Sequence, residues 1–178
     1  MTNEILDDQL RKSAIHGVEK HYLEAFFGSQ RGYYVETYDD FHKGKRFTFN
    51  IGSFFFGVFW MMYRKLFWEM LLGLMMLFGI GIVEGVVYIL YDVQEPQQKA
   101  INLAVMITTG IMFGFAGNYL YMKHTDSKIH SILLSSDDEV TRLNMLKKKG
   151  GISFLPFIIL ALLIIAIALY PPLLKSLL

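Results

Sequence analysis

Two carboxylates, Glu69 and Glu84, interrupt an apolar run that extends from Leu66 to Tyr91. With a helix core at residues 70–90, Glu84 lies four positions past the centre. An ionisable group at that depth is a candidate for a proton or ion path, for a contact with lipid or a partner, or for a protonated hydrogen bond that locks two helices. Thr108 and Thr109 reach a similar depth on the next apolar run, and Tyr88 lies one turn on, so each is a candidate partner for Glu84. No Lys or Arg shares that depth. Glu69 and Asn118 stand one turn inside the same end of the two runs and form a second candidate pair, with Lys65 one turn from Glu69. For these three a structural role is the simpler reading.

Little else has the spacing of a reaction centre. Cysteine is absent, which excludes disulfides, thiol nucleophiles, iron–sulfur clusters, Cys-ligated zinc and a lipid-bearing Cys anchor. His124, Asp126 and His130 come nearest to a ligand set, but they lack a fourth ligand and the HExxH spacing, and solvated surface histidines account for them as simply. There is no nucleophile elbow, phosphate loop or dinucleotide glycine pattern. No catalytic residue, cofactor or metal is expected, and the chain is read as not an enzyme. A formal net charge of +1 gives no argument for nucleic acid as a partner. The glycines form small-xxx-small steps, Gly81 with Gly85 and Gly110 with Gly114, with Gly117 one turn further. Such steps let helix backbones approach closely. Their expected use is packing of the first apolar helix on the second, with dimer formation as the alternative.

The elements that would position these residues follow from hydropathy and punctuation. Hydrophobic residues make up 53% of the 178 and charged residues 19%, and the charges are absent from Ala100 to Met122 and from Ile152 to Leu174. Three such runs predict an all-α integral membrane protein with three transmembrane helices at about residues 66–91, 100–122 and 152–170. Residues 1–49 read as a cytosolic helical N-terminal region, and 50–178 as the membrane domain. A stripe of Leu10, Ala14, Val18, Tyr22 and Phe26 predicts a helix over residues 2–27, stopped at Gly28. A second is expected near residues 30–42, ended by Gly44. The opening residues are polar and mixed in charge, so no cleavable signal peptide is expected.

The stretch from Phe47 to Tyr63 is flanked by Lys43, Lys45 and Arg46 on one side and by Arg64 and Lys65 on the other. Asn50 is placed to cap a helix over residues 51–63. That helix is about 20 Å long, too short for a hydrocarbon core of about 30 Å. It is read as interfacial or re-entrant, with Asn50, Phe54, Phe55, Phe56, Trp60, Tyr63, Arg64 and Lys65 available for contact with lipid or a partner. In the loop at residues 123–150, Ser136 to Glu139 reads as a capping box opening a short amphipathic helix against the membrane face. Lys147, Lys148 and Lys149 close it and either hold anionic headgroups or only set topology. Lys plus Arg number nine before Leu66, one in the first loop, six in the second and one in the tail. This alternation predicts a cytoplasmic N-terminus and an external C-terminus.

The segment FNIGSFFFGVFWMMYRK, Phe49 to Lys65, resembles an element of a family of bacterial inner-membrane proteins, domain of unknown function 2628 (DUF2628). Asn50, Phe54 to Gly57, Trp60, Tyr63, Arg64 and Lys65 match it, while Ile51 stands where an aromatic residue is usual. GFAGNYLYMKH resembles a second element through Gly117, Asn118 and Tyr121, and Gly150 to Ser153 a third. The resemblance covers roughly residues 30–175. It implies a multi-pass protein of the bacterial inner membrane and no defined activity.

The expected function is a non-catalytic accessory or scaffold subunit that binds membrane lipids and a larger membrane complex. Fifteen Phe, ten Tyr and ten Met supply contact surface. One alternative is a small oligomeric transporter or channel using Glu84. Another is a membrane-surface, lipid-organising protein led by residues 50–65.

Overall fold

The computed structural model describes residues 14–15 and 18–177, with side chains over 18–166. In chain order the elements are β1 (Ala14–Ile15), β2 (Val18–Glu19), α1 (Lys20–Phe27), a short 3-10 turn (Gly28–Gln30), α2 (Arg31–His42), α3 (Ile51–Phe56), α4 (Val58–Tyr63), α5 (Phe67–Leu90), α6 (Glu95–Ser135), α7 (Glu139–Lys149) and α8 (Leu155–Leu177). The architecture is mostly helical. The predicted N-terminal helix is shorter than expected: Ala14 pairs with Glu19 and Ile15 with Val18 as antiparallel strands, and α1 begins only at Lys20. β-branched Ile15 and Val18 suit a pleated pair, and Gly17 is a poor residue for a helix interior. The part of that prediction at residues 2–13 lies outside the described residues. Gly28 stops α1 as expected, at φ +63°.

The 51–63 segment is two helices, not one. Asn50 caps α3 as expected, its Oδ1 accepting from the Ser53 N–H at 2.8 Å. The chain then turns at Gly57, whose φ of +47° is left-handed, and restarts as α4. The resulting helical hairpin lies along α6 and leads into α5.

α5 and α6 are long and apolar enough to cross a membrane. The predicted second span underestimates its helix. α6 has 41 residues, starting at Glu95 with Pro96 in its first turn and running on to Ser135. That is about 60 Å of helix, twice a hydrocarbon core. Half of the predicted 123–150 loop is therefore a continuation of α6. The cap of α7 is Asp138, not Ser136, and its carboxylate accepts from the Thr141 N–H at 2.8 Å. α7 packs on α1 and α6 through buried Leu146. α8 begins at Leu155, and its apolar stretch with described side chains is Leu155–Ala166.

One core joins these parts. Leu23, Phe26 and Phe27 of α1 and Tyr34 and Tyr38 of α2 pack with Trp60 and Met61 of α4, Tyr121, Met122 and Ile129 of α6 and Leu146 of α7. The described N-terminal helices are thus built onto the same body as the α3–α4 hairpin. By contrast α5 leaves most of its length open, from Leu71 and Phe78 to Val86 and Ile89.

Candidate functional site

The hairpin is held on α6 by a polar joint inside an apolar setting. The Asn50 backbone N–H donates to the Gly114 carbonyl at 2.8 Å, and the Ser53 hydroxyl to the Phe113 carbonyl at 2.9 Å. The Asn50 amide nitrogen donates to Asn118 Oδ1 at 2.7 Å. Asn118 in turn donates to the Tyr33 hydroxyl and to Thr48 Oγ1, each at 2.9 Å. Asn50 and Asn118 are 6% and 1% exposed, so every bond here replaces one that water would make. Loss of a buried partner costs about 1–3 kcal/mol. Close approach is what the α6 glycines supply. A Cβ on Gly117 would stand 2.5 Å from Ser53 Oγ, and one on Gly110 3.2 Å from the Phe54 ring. At Gly114 it would overlap the Phe49 ring.

Beside this joint Arg64 is buried, at 2% exposure. α4 ends at Tyr63, and the chain turns there because Lys65 takes a left-handed φ of +61°. The Arg64 guanidinium lies 4.2 Å from the centroid of the Tyr34 ring, with Tyr121 at 5.3 Å and Tyr63 at 5.4 Å. Its Nε and Nη1 are buried and have no hydrogen-bond acceptor among the described residues. Among the described residues no carboxylate pairs with it. Cation–π contact stabilises a desolvated cation by about 2 kcal/mol. Removing the charge from water costs several kcal/mol, so the rings do not offset it alone. Tyr34 does not supply the missing anion. Burial raises its phenol above the usual value of 10.0, against the lowering effect of Arg64. It stays a neutral hydroxyl at physiological pH.

A cavity of about 910 Å³ opens onto this cation. Its walls come from α2, both hairpin helices and the start of α8, with Tyr33, Trp60, Phe56, Phe59 and Phe157 among them. The third sequence element closes the same region. The Ser153 N–H donates to the Tyr63 carbonyl at 2.8 Å, and the Lys65 ammonium donates to the Lys148 carbonyl at 3.0 Å and to that of Gly150. Burial lowers the Lys65 pKa from its ordinary 10.5. Three stretches far apart in sequence, around Asn50 to Lys65, Gly114 to Tyr121 and Gly150 to Ser153, thus converge on one place.

The other predicted site residues scatter. Glu84 is half-buried, and its Oε1 has no hydrogen-bond partner among the described residues. Thr108 is exposed, and Thr109 donates to the Val105 carbonyl of its own helix at 2.8 Å, so neither reaches Glu84. Tyr88 stays within electrostatic reach of Glu84, as expected, while its hydroxyl donates to Asn102 Oδ1 at 2.6 Å, a bond that joins α5 to α6 near their connection. Glu69 faces His124 at 3.4 Å instead of Asn118, and Lys65 bonds the α7 end. Gly81 and Gly85 do not pack α5 on α6, since a Cβ on either meets nothing within 4 Å among the described residues. Phe54 and Trp60 face the protein, whereas Phe55 is 72% exposed. Asp126 accepts from the Tyr38 hydroxyl at 2.6 Å and sits 3.1 Å from His42 Nε2. No group of three or more His, Asp or Glu gathers as a metal site among the described residues.

Arg64 matters for its burial, which its place in a basic flank concealed. In the sequence Tyr63, Arg64 and Tyr121 stand out as residues of the matching family elements, with nothing to show that their side chains meet. A family model described as "Protein of unknown function (DUF2628)" matches residues 18–126. The match takes in α1 to α5 and most of α6 and stops before α7 and α8. No curated protein and no solved structure matches the chain.

Proposed function

This chain belongs to the DUF2628 family, and we propose that it is a non-catalytic accessory or scaffold subunit that docks onto a larger complex in the bacterial inner membrane. The observation that carries this reading is the empty glycine face of α5. Among the described residues a Cβ at Gly81 or Gly85, one turn apart on one face, would meet nothing within 4 Å, whereas Gly110, Gly114 and Gly117 of α6 lie against Phe54, Phe49 and Ser53. Small residues allow a helix of another subunit to approach closely. Glu84 lies on the same stretch with an unpartnered carboxyl oxygen, which an incoming helix can satisfy. In this reading α5, α6 and α8 are three spans, the N-terminus is cytoplasmic and the C-terminus external, as the Lys and Arg alternation requires. Bulky exposed Phe55 and Phe56 meet lipid.

Affinity purification of the tagged chain from native membranes in mild detergent tests the proposal. The expected result is stoichiometric recovery of a larger complex, lost when Gly81 and Gly85 are both replaced by Leu. Recovery of the chain alone, as a defined oligomer, would favour the transporter reading, with Glu84 on a shared axis. Flux through reconstituted vesicles that disappears in Glu84→Gln would then establish it.

A further inference from the structure

We propose that the cavity beside Arg64 binds an anionic phospholipid, its phosphodiester on the guanidinium and an acyl chain along the aromatic wall. The cavity lining combines two kinds of chemistry. It includes a buried guanidinium with two donor nitrogens that no atom of the described residues accepts. It also includes the apolar side chains of Phe56, Phe59, Phe157 and Leu160. A guanidinium presents its donors as a planar fork that fits a phosphate or carboxylate oxygen pair. An inorganic anion would satisfy the fork and leave the apolar wall empty. A neutral lipid would fill the wall and leave the fork unpaired. An anionic amphiphile does both. About 910 Å³ is at the upper end of ordinary ligand pockets, large enough for a long chain.

The surroundings favour a lipid over a soluble amphiphile. Phe56 is 59% exposed on the hairpin and borders the cavity, as does half-exposed Phe157 on α8. The cavity therefore continues into surface of the kind that meets acyl chains. This inference needs the chain to reside in a bilayer, and nothing else of the docking reading above.

Native mass spectrometry of the full chain in detergent, offered equimolar dioleoylphosphatidylglycerol and dioleoylphosphatidylcholine, tests it. The expected result is at least tenfold preferential retention of phosphatidylglycerol. Arg64→Gln removes the charge and should abolish the preference. Arg64→Lys keeps the charge without the fork and should retain part of it. Gly32→Trp adds bulk on the cavity wall, where a Cβ meets nothing within 4 Å among the described residues. It should reduce retention with Arg64 intact, so the test survives if Arg64→Gln fails to fold. Equal retention of the two lipids by the unaltered chain would overturn the proposal, as would an undiminished preference in Gly32→Trp. Displacement of phosphatidylglycerol by millimolar inorganic phosphate would show a site for a soluble oxyanion. Equally effective displacement by palmitate would show a fatty-acid site. Either result would overturn the phospholipid as occupant.

Discussion

Asn50 does two things at once. Its Oδ1 caps α3 while its amide nitrogen bonds Asn118. Asn50→Ala removes the cap and leaves Asn118 Oδ1 buried without a donor. The expected loss is about 2–3 kcal/mol, read as a lowered midpoint in thermal unfolding of the detergent-purified chain. Gly117→Ala forces a methyl into Ser53 and is expected to lower that midpoint too. Gly81→Ala, facing open space inside a helix, should not lower it. Burial keeps Tyr34 protonated past its ordinary 10.0, so no phenolate forms beside the guanidinium. Lipid preference is therefore expected to be flat between about pH 6 and pH 9, measured by the same lipid competition. The Asn50 cap was legible because Asn before an apolar run is a local signal. The Asn50–Asn118 bond was not, because it joins positions 68 apart, and pairing by equal depth assigned Asn118 to Glu69.

At the scale of elements, Gly57 decides whether residues 51–63 fold back on themselves. Its left-handed φ breaks the helix, and a Cβ there would also stand 3.2 Å from the Phe113 ring. Gly57→Ala is expected to cost about 1–2 kcal/mol from the backbone conformation alone. It should also lower the hydrogen-exchange protection of residues 51–63 against that of α5. The aromatic run concealed this turn, since Phe and Trp fit a continuous helix and an isolated glycine is tolerated within one. The apolar cores of α5 and α6 were plain in the sequence. The extension of α6 to Ser135 was not, because polar residues after Met122 ended the hydropathy signal without ending the helix. Buried Thr125, Ile129 and Ile132 keep its inner face packed.

At the scale of the whole molecule, the join between α7 and α8 is also the seat of α1. The Gly151 N–H donates to the Phe26 carbonyl at 2.7 Å, and a Cβ on Gly150 would overlap the Phe26 backbone. Gly150→Ala is expected to lower protection of α1 and α7 together while leaving α5 unchanged, measured by hydrogen exchange. That outcome would show the N-terminal helices and α7 opening as one unit. Such coupling was invisible in the sequence, where Gly150 read only as a helix stop. The unbroken α6 adds a mechanical property. In the three-span arrangement we propose, a bilayer takes up about half of its roughly 60 Å, leaving about 30 Å of rigid rod beyond the surface with α1, α2 and α7 packed along it. Rods of this kind convert rotation into displacement: a 10° change of tilt within the membrane carries the far end sideways by roughly 5 Å. A subunit pressing on one side of the bilayer can in this way move a surface on the other side of the headgroups, with no change in any bond along the helix.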